Sequence, residues 1–235
     1  MTETPKKPSR KKAAPKPDAP DPETGKKDDA ALREAVLMAV LPHAAFDGFT
    51  QSVLDKAGKD AGLTKTDVAR LFENGPAGLV EFYSIWADAE MEKSLAATDL
   101  KALKIRARIA AAVKARLSVL RPHKEAARRA AALLSLPMNV ALGAKLTYRT
   151  VDAMWRAAGD TSTDFNFYTK RGILAGVYGS TAMRWFSDTS DGETATDEFL
   201  AARIENVMQF ETLKAKAKDV LSSFPAFAGW AKPKN

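Results

Sequence analysis

Asp152-Ala153-Met154-Trp155-Arg156-Ala157-Ala158-Gly159-Asp160-Thr161-Ser162-Thr163-Asp164-Phe165-Asn166-Phe167-Tyr168-Thr169-Lys170-Arg171 is the stretch that decides the reading of this 235-residue chain. Helix formers run up to Ala158, and the Gly159 to Thr161 segment reads as a turn. Thr161-x-x-Asp164 then has the pattern of a capping box, in which two side chains satisfy each other's backbone N–H at a helix start. Two helices, near 139–158 and 163–187, therefore meet at a short polar turn.

The same grammar extends outward in both directions. Leu32, Val36, Leu37, Val40 and Leu41 follow helical spacing, and no convincing two-residue alternation marks a strand. Thr64-x-x-Asp67 and Thr194-x-x-Asp197 repeat the capping pattern, Asn74 precedes a Gly-Pro helix entry, and Pro122 and Pro137 separate the middle helices. The resulting map has helices near 31–43, 50–61, 65–72, 76–96, 99–120, 123–136, 139–158, 163–187 and 195–218. The expected class is all-α, a bundle of about nine to ten helices.

Residues 1–30 hold six of the twelve prolines and no aromatic or large aliphatic residue after Met1. Such a stretch cannot bury apolar surface and is expected to be a disordered tail, without a signal or transit peptide. The remaining divisions are a helix-turn-helix-like module over 31–74, a helical ligand-binding domain over 75–218, and an amphipathic C-terminal segment over 219–235.

Composition removes several function classes. No cysteine is present, so thiolate metal sites and cysteine nucleophiles are excluded. Only His43 and His123 remain, in no helical metal-ligand pattern. No phosphate-binding loop, dinucleotide fingerprint or nucleophile elbow occurs, so no catalytic, metal or cofactor residue is assigned. No uncharged run is long enough to span a bilayer. The net charge of +7 permits nucleic acid, anionic lipid or an acidic partner.

Gly62 to Phe72 looks like the turn and second helix of a helix-turn-helix, similar in architecture to TetR-type regulators. The outward candidates Lys65, Asp67, Arg70 and Glu73 sum to zero charge, which argues against phosphate contact. Lys101 to Arg129 carries ten basic residues and one acid, Glu125, either a solvated face or a patch for anionic headgroups. Gly172, Gly176, Gly179 and Ser180 form a strip of small residues on one helix. It serves either close helix approach or an extended apolar ligand walled by Met154, Trp155, Leu174, Val177, Tyr178, Met183, Trp185 and Phe186. Leu221, Phe224, Phe227 and Trp230 near a lysine cluster suit a membrane interface, although Pro225 interrupts them.

The opening stretch, with Pro137-Met138-Asn139, Leu174 to Tyr178, Asp188-Thr189-Ser190 and Phe199 to Met208, resembles the ninth coenzyme Q biosynthesis protein family over about residues 31–218. The resemblance implies a TetR-like helical fold, usually dimeric, that has lost DNA binding and takes up isoprenoid quinone intermediates. It implies a non-enzymatic accessory factor of ubiquinone biosynthesis that presents the lipid to the demethoxyubiquinone hydroxylase. On that basis Asp164, Asn166, Phe167, Tyr168 and Arg171 are expected at the hydroxylase surface. Gly172 and Gly176 belong with the ligand walls, and Leu221, Phe224, Phe227 and Trp230 with the membrane. A bacterial, cytoplasmic protein held peripherally at the inner membrane is expected, and a TetR-type ligand-responsive regulator is the alternative.

Overall fold

The computed structural model describes the backbone of residues 22–163 and 165–223, and the side chains of 28–163 and 167–209. Nine α-helices occur among the described residues: α1 Pro22–Asp47, α2 Gln51–Asp60, α3 Lys65–Leu71, α4 Gly75–Ala96, α5 Ile105–Leu120, α6 Lys124–Leu134, α7 Val140–Ala157, α8 Phe165–Phe186 and α9 Thr194–Ser223. Short 3-10 turns join several of them, and no strand is present among these residues.

Helix α4 is central. It packs against α5 on one side and α7 on another, α7 carries α8, and α8 carries α9. α1 lies on α2 and α6, closing the N-terminal module onto the larger domain. Its fully buried Val36, Leu37, Val40 and Leu41 join Leu79, Val80 and Met91 of α4 and Trp185 of α8 in one continuous core. Burying each of these large side chains contributes about 2 kcal/mol.

Local chemistry accounts for most boundaries. Thr64 Oγ1 accepts from Asp67 N at 3.2 Å while Asp67 Oδ2 accepts from Thr64 N at 3.0 Å, so the expected capping box starts α3. α9 starts differently from the Thr194-x-x-Asp197 reading. Asp188 Oδ2 accepts from Thr196 N at 2.7 Å, Ser190 Oγ accepts from Ala195 N at 3.1 Å, and Asp197 instead pairs with Lys114 at 2.7 Å. The Thr161-x-x-Asp164 box lies partly outside the described residues, at Asp164. At the end of α7 the chain reverses through Gly159, whose φ of +89° is in the left-handed region.

α1 begins at Pro22, so the expected disordered tail to residue 30 is corrected over 22–30. Asp29 pairs with Arg70 on α3 at 2.6 Å. A helix already nucleated by its apolar second half extends through charged residues at little cost. The charge of α3 is thereby engaged: Arg70 is held by Asp29, Asp67 by its own cap, and Lys65 lies 3.9 Å from Asp55.

Candidate functional site

A cavity of about 600 Å³ lies among α4, α5, α6, α7 and α8. Its walls are mostly apolar: Val80, Leu117, Leu120, Ala127, Ala130, Leu134, Leu146, Ala182, Trp185 and Phe186. That volume is in the range of single small-ligand sites. Gly143 brings α7 close to the end of α6. A Cβ there would stand 3.1 Å from the Leu134 carbonyl oxygen, so the close approach depends on glycine.

The lining residues differ in burial. Ser135, Val140 and Met183 are exposed and form the rim, Met183 at 67%. Tyr83, Arg116, Leu117 and Thr150 belong to a buried inner part of the lining. Met138, in the 3-10 turn between α6 and α7, and Leu136 just before that turn are also exposed beside that rim, Met138 at 82%.

This inner part is polar. Arg116 Nε donates to Asp88 Oδ1 at 2.9 Å, and Arg116 Nη2 donates to the Ser84 carbonyl oxygen at 3.2 Å. Thr150 Oγ1 donates to Asp88 Oδ1 at 2.8 Å. Arg116 Nη1, the Tyr83 hydroxyl and Asp88 Oδ2 are buried without a hydrogen-bond partner. Burial pushes the Asp88 carboxyl up, against the pull of the Arg116 guanidinium, and pushes the Tyr83 and Tyr178 phenols up as well. An ion pair with this little exposure stands only because its partners complete most of its hydrogen bonds.

The expected ligand walls separate into distinct places. Tyr178, Met183, Trp185 and Phe186 line the large cavity, with Gly179 beside them. Trp155, Leu174 and Val177 line a small apolar pocket of about 100 Å³ with Ile109 and Ile204. Gly176 and Val177 line an outer groove of about 380 Å³ between α8 and α9, with Arg203 and Val207. Met154 is fully buried in the core and reaches none of these. Gly172 is exposed, and a Cβ on Gly172, Gly176 or Gly179 would meet nothing within 4 Å, so close helix packing does not explain the glycine strip. The helical period carries neighbouring residues of α7 and α8 to different faces, which divides the set.

The expected hydroxylase surface divides too. Tyr168 is 66% exposed and its ring stands edge-on to Phe167, centroids 5.1 Å apart. Arg171, in contrast, is buried and is corrected from surface contact to internal tie. It donates to Asp152 at 2.7 Å, to Asp160 at 3.1 Å and to the Phe167 carbonyl oxygen at 3.1 Å. Asp164 and the side chain of Asn166 lie outside the described residues, as do Phe224, Phe227 and Trp230. Leu221 falls on the α9 backbone, with its side chain also outside them.

The basic segment is less free than its count implies. Arg108 donates to three carbonyl oxygens, including Ala158 at 3.0 Å, and Arg116 is in the core. Lys114 meets Asp197 at 2.7 Å, Arg121 and Lys124 meet Glu193, and Arg128 and Arg129 meet Glu125. No group of three or more His, Cys, Asp or Glu among the described residues could hold a metal. No single described helix is long and apolar enough to cross a membrane.

Sequence reasoning missed Tyr83, Asp88 and Arg116. One signal was present: Arg116 continues the stripe Ile109, Ala112, Val113, Leu117 and Leu120, which turns a cation into the core.

An all-helical bundle with an apolar cavity beside a buried ion pair has the architecture of a TetR-like fold. A TetR transcriptional regulator from Nitrosomonas europaea superposes with a TM-score of 0.60, covering 74% of this chain and 97% of that one at 18% identity. The COQ9 family model matches residues 140–211. The chain is 30% identical to the ubiquinone biosynthesis protein COQ9-B, mitochondrial, of Xenopus laevis, over 82% of this chain and 67% of that protein. It is likewise 30% identical to ubiquinone biosynthesis protein COQ9, mitochondrial, of Rattus norvegicus over 75% of this chain and 59% of that protein, and 29% to that of Homo sapiens over 75% and 58%. The chain belongs to the COQ9 family, and it spans somewhat under six tenths of the length of these mammalian relatives.

Proposed function

We propose that this chain is a non-enzymatic, lipid-binding accessory protein of ubiquinone biosynthesis, which takes an isoprenoid quinone intermediate from the membrane and presents it to the demethoxyubiquinone hydroxylase. The observation that carries this reading is the apolar cavity of about 600 Å³, open at a rim that includes Val140 and Met183. Each carbon group buried there contributes about 0.8 kcal/mol relative to water, about what the same group loses on leaving a bilayer, so the isoprene units that the cavity covers transfer at little net cost.

Membership in the COQ9 family supports the pathway. Exposed Leu136, Met138 and Val140 beside the rim support loading from an anionic membrane surface. The exposed Tyr168 with Phe167, on the helix whose other end walls the cavity, supports docking of the hydroxylase. The exposed Gly172 and Gly176, with half-buried Ser180 beside them, support a homodimer. The reading has the protein in the bacterial cytoplasm, peripheral at the inner membrane. It has no nucleic-acid partner, in keeping with the engaged charges of α3.

Mass spectrometry of organic extracts from natively purified protein, beside an unrelated control from the same cells, tests the proposal. Selective recovery of an isoprenoid quinone or precursor is expected. Phospholipid in proportion to the control, with no quinone, overturns the lipid role.

A further inference from the structure

Six consecutive residues, Lys101-Ala102-Leu103-Lys104-Ile105-Arg106, are all exposed where the chain passes from α4 to α5. Leu103 is 38% and Ile105 48% exposed, so two large apolar side chains stand in water between cations. The other basic residues up to Arg129 are engaged in ion pairs or hydrogen bonds, whereas no carboxylate among the described residues lies within 4 Å of Lys101, Lys104 or Arg106. α5 also opens against ordinary helix chemistry: Lys104 is its N-cap without a side-chain hydrogen bond, and no acid stands in its first turn. Cations there oppose the helix dipole, a local conflict of the kind that marks functional surface. We infer that residues 101–106 are a membrane-contact loop, whose Leu103 and Ile105 enter the headgroup region of an anionic bilayer while Lys101, Lys104 and Arg106 meet its phosphates. This rests on the proposed peripheral membrane reading and names a surface that carries it. The loop shares no residue with the large cavity.

The loop is fixed in place for such a contact. Leu100 is buried at its start, and Leu103 N donates to the Leu100 carbonyl oxygen at 3.0 Å. Arg108 Nη2 donates to the Lys101 carbonyl oxygen at 3.1 Å, Nε to that of Leu103 at 2.9 Å and Nη1 to that of Ala158 at 3.0 Å. One guanidinium therefore ties the loop to the end of α7, and little ordering is left for binding to impose. The residue types favour a bilayer over a protein. Lysine is depleted from protein interfaces, whereas apolar side chains flanked by lysine and arginine suit the headgroup region, where the long stems lie along the acyl boundary and the charges stay in water. Asp99 opens the loop and the next acid in sequence is Glu125, so the stretch is net positive. Met208 of α9 lines the same small apolar pocket as Ile105, and the α9 backbone runs on from there through Lys214, Lys216 and Lys218 to Ser223. A second lysine cluster thus follows on the helix that passes the loop.

Flotation of the full chain with phosphatidylcholine vesicles, made with and without phosphatidylglycerol, tests the loop in wild type and two variants. One variant combines Lys101→Ser, Lys104→Ser and Arg106→Ser; the other combines Leu103→Ser and Ile105→Ser. Wild type is expected to bind the anionic vesicles, to bind the neutral ones far less, and to be released by salt. Each cation at an anionic surface multiplies affinity about fivefold, so the cation variant is expected to bind about a hundredfold more weakly. It is expected to keep the wild-type Tm, because exposed, unpaired side chains contribute little to folding. The apolar variant is expected to weaken binding about tenfold. Wild-type vesicle affinity in the cation variant overturns the loop while the peripheral membrane reading stands. If that variant keeps its vesicle affinity and instead loses capture of the hydroxylase, the loop serves an acidic protein surface and the membrane assignment falls. Wild-type affinity in the apolar variant overturns entry of Leu103 and Ile105 into the bilayer. Failure of wild type to bind either vesicle overturns the peripheral membrane reading itself.

Discussion

The Arg171 guanidinium carbon lies 3.4 Å from the centroid of the Phe167 ring, one helical turn before it on α8. The same guanidinium bonds Asp152 on α7 and Asp160 in the connecting turn. The aromatic ring thus covers the ion cluster that joins the two helices. Phe167 therefore carries local stability, whereas Tyr168 beside it stays largely exposed.

Arg171→Ala leaves Asp160 without one of its two cations and opens the α7–α8 turn. Urea unfolding is expected to show a loss of about 3 kcal/mol or more, as for a broken buried pair. Phe167→Ala is expected to lower stability by about 1–2 kcal/mol through the lost cation–π contact and packing. Tyr168→Ala is expected to stay within about 0.5 kcal/mol while weakening capture of the hydroxylase. Unchanged capture by Tyr168→Ala removes this residue from the docking surface.

Stability is expected to fall in acid through Asp160. Burial opposes its ionisation, but hydrogen bonds from Lys170, Ser162 and Arg171 outweigh that effect and hold the carboxyl at about 2, below the ordinary 3.8. A carboxyl depressed on folding contributes fully above the unfolded value and progressively less as pH falls toward the folded one. The contribution, about 2 kcal/mol, is therefore present above about pH 5 and lost between there and pH 2. Asp160→Asn is expected to flatten that part of the unfolding free energy against pH. An identical acid profile in the variant contradicts the assignment.

Gly179 and Gly176 separate cavity from outer face. Gly179 lines the large cavity and Gly176 the α8–α9 groove, with open space at both. Gly179→Leu is expected to reduce co-purified isoprenoid lipid at equal or higher Tm, because helical glycine costs about 1 kcal/mol relative to better helix formers. Gly176→Leu is expected to spare lipid and to shift the species seen by analytical ultracentrifugation toward monomer. Equal lipid loss in both variants contradicts this division.

Truncation after Ser223 removes Phe224, Phe227 and Trp230. Sedimentation with anionic vesicles is expected to fall, since aromatic side chains following a lysine cluster supply interfacial affinity. Undiminished sedimentation assigns vesicle binding to the exposed apolar residues of the bundle itself, at Leu103 and Ile105 or around Met138.

The sequence alone determined the helices and most of their ends. Capping side chains, glycine turns and prolines act within a few residues, and the 3.6-residue period of Val36, Leu37, Val40 and Leu41 already marked a buried face. The D-x-M-W to Y-T-x-R stretch carried the family. Only the tertiary structure decided what those helices enclose. Arg171 read as a surface cation and is the buried tie between α7 and α8. The basic run of α5 and α6 read as a cationic face and is largely paired with acids. Asp88, Arg116 and Thr150 converge beside the cavity although Asp88 lies 28 residues from Arg116 and 62 from Thr150. Local spacing shows which face of a helix is apolar, but it is silent on which helix covers that face. Burial, pairing and the orphaned donors of the cavity all follow from that second choice, made by long-range packing.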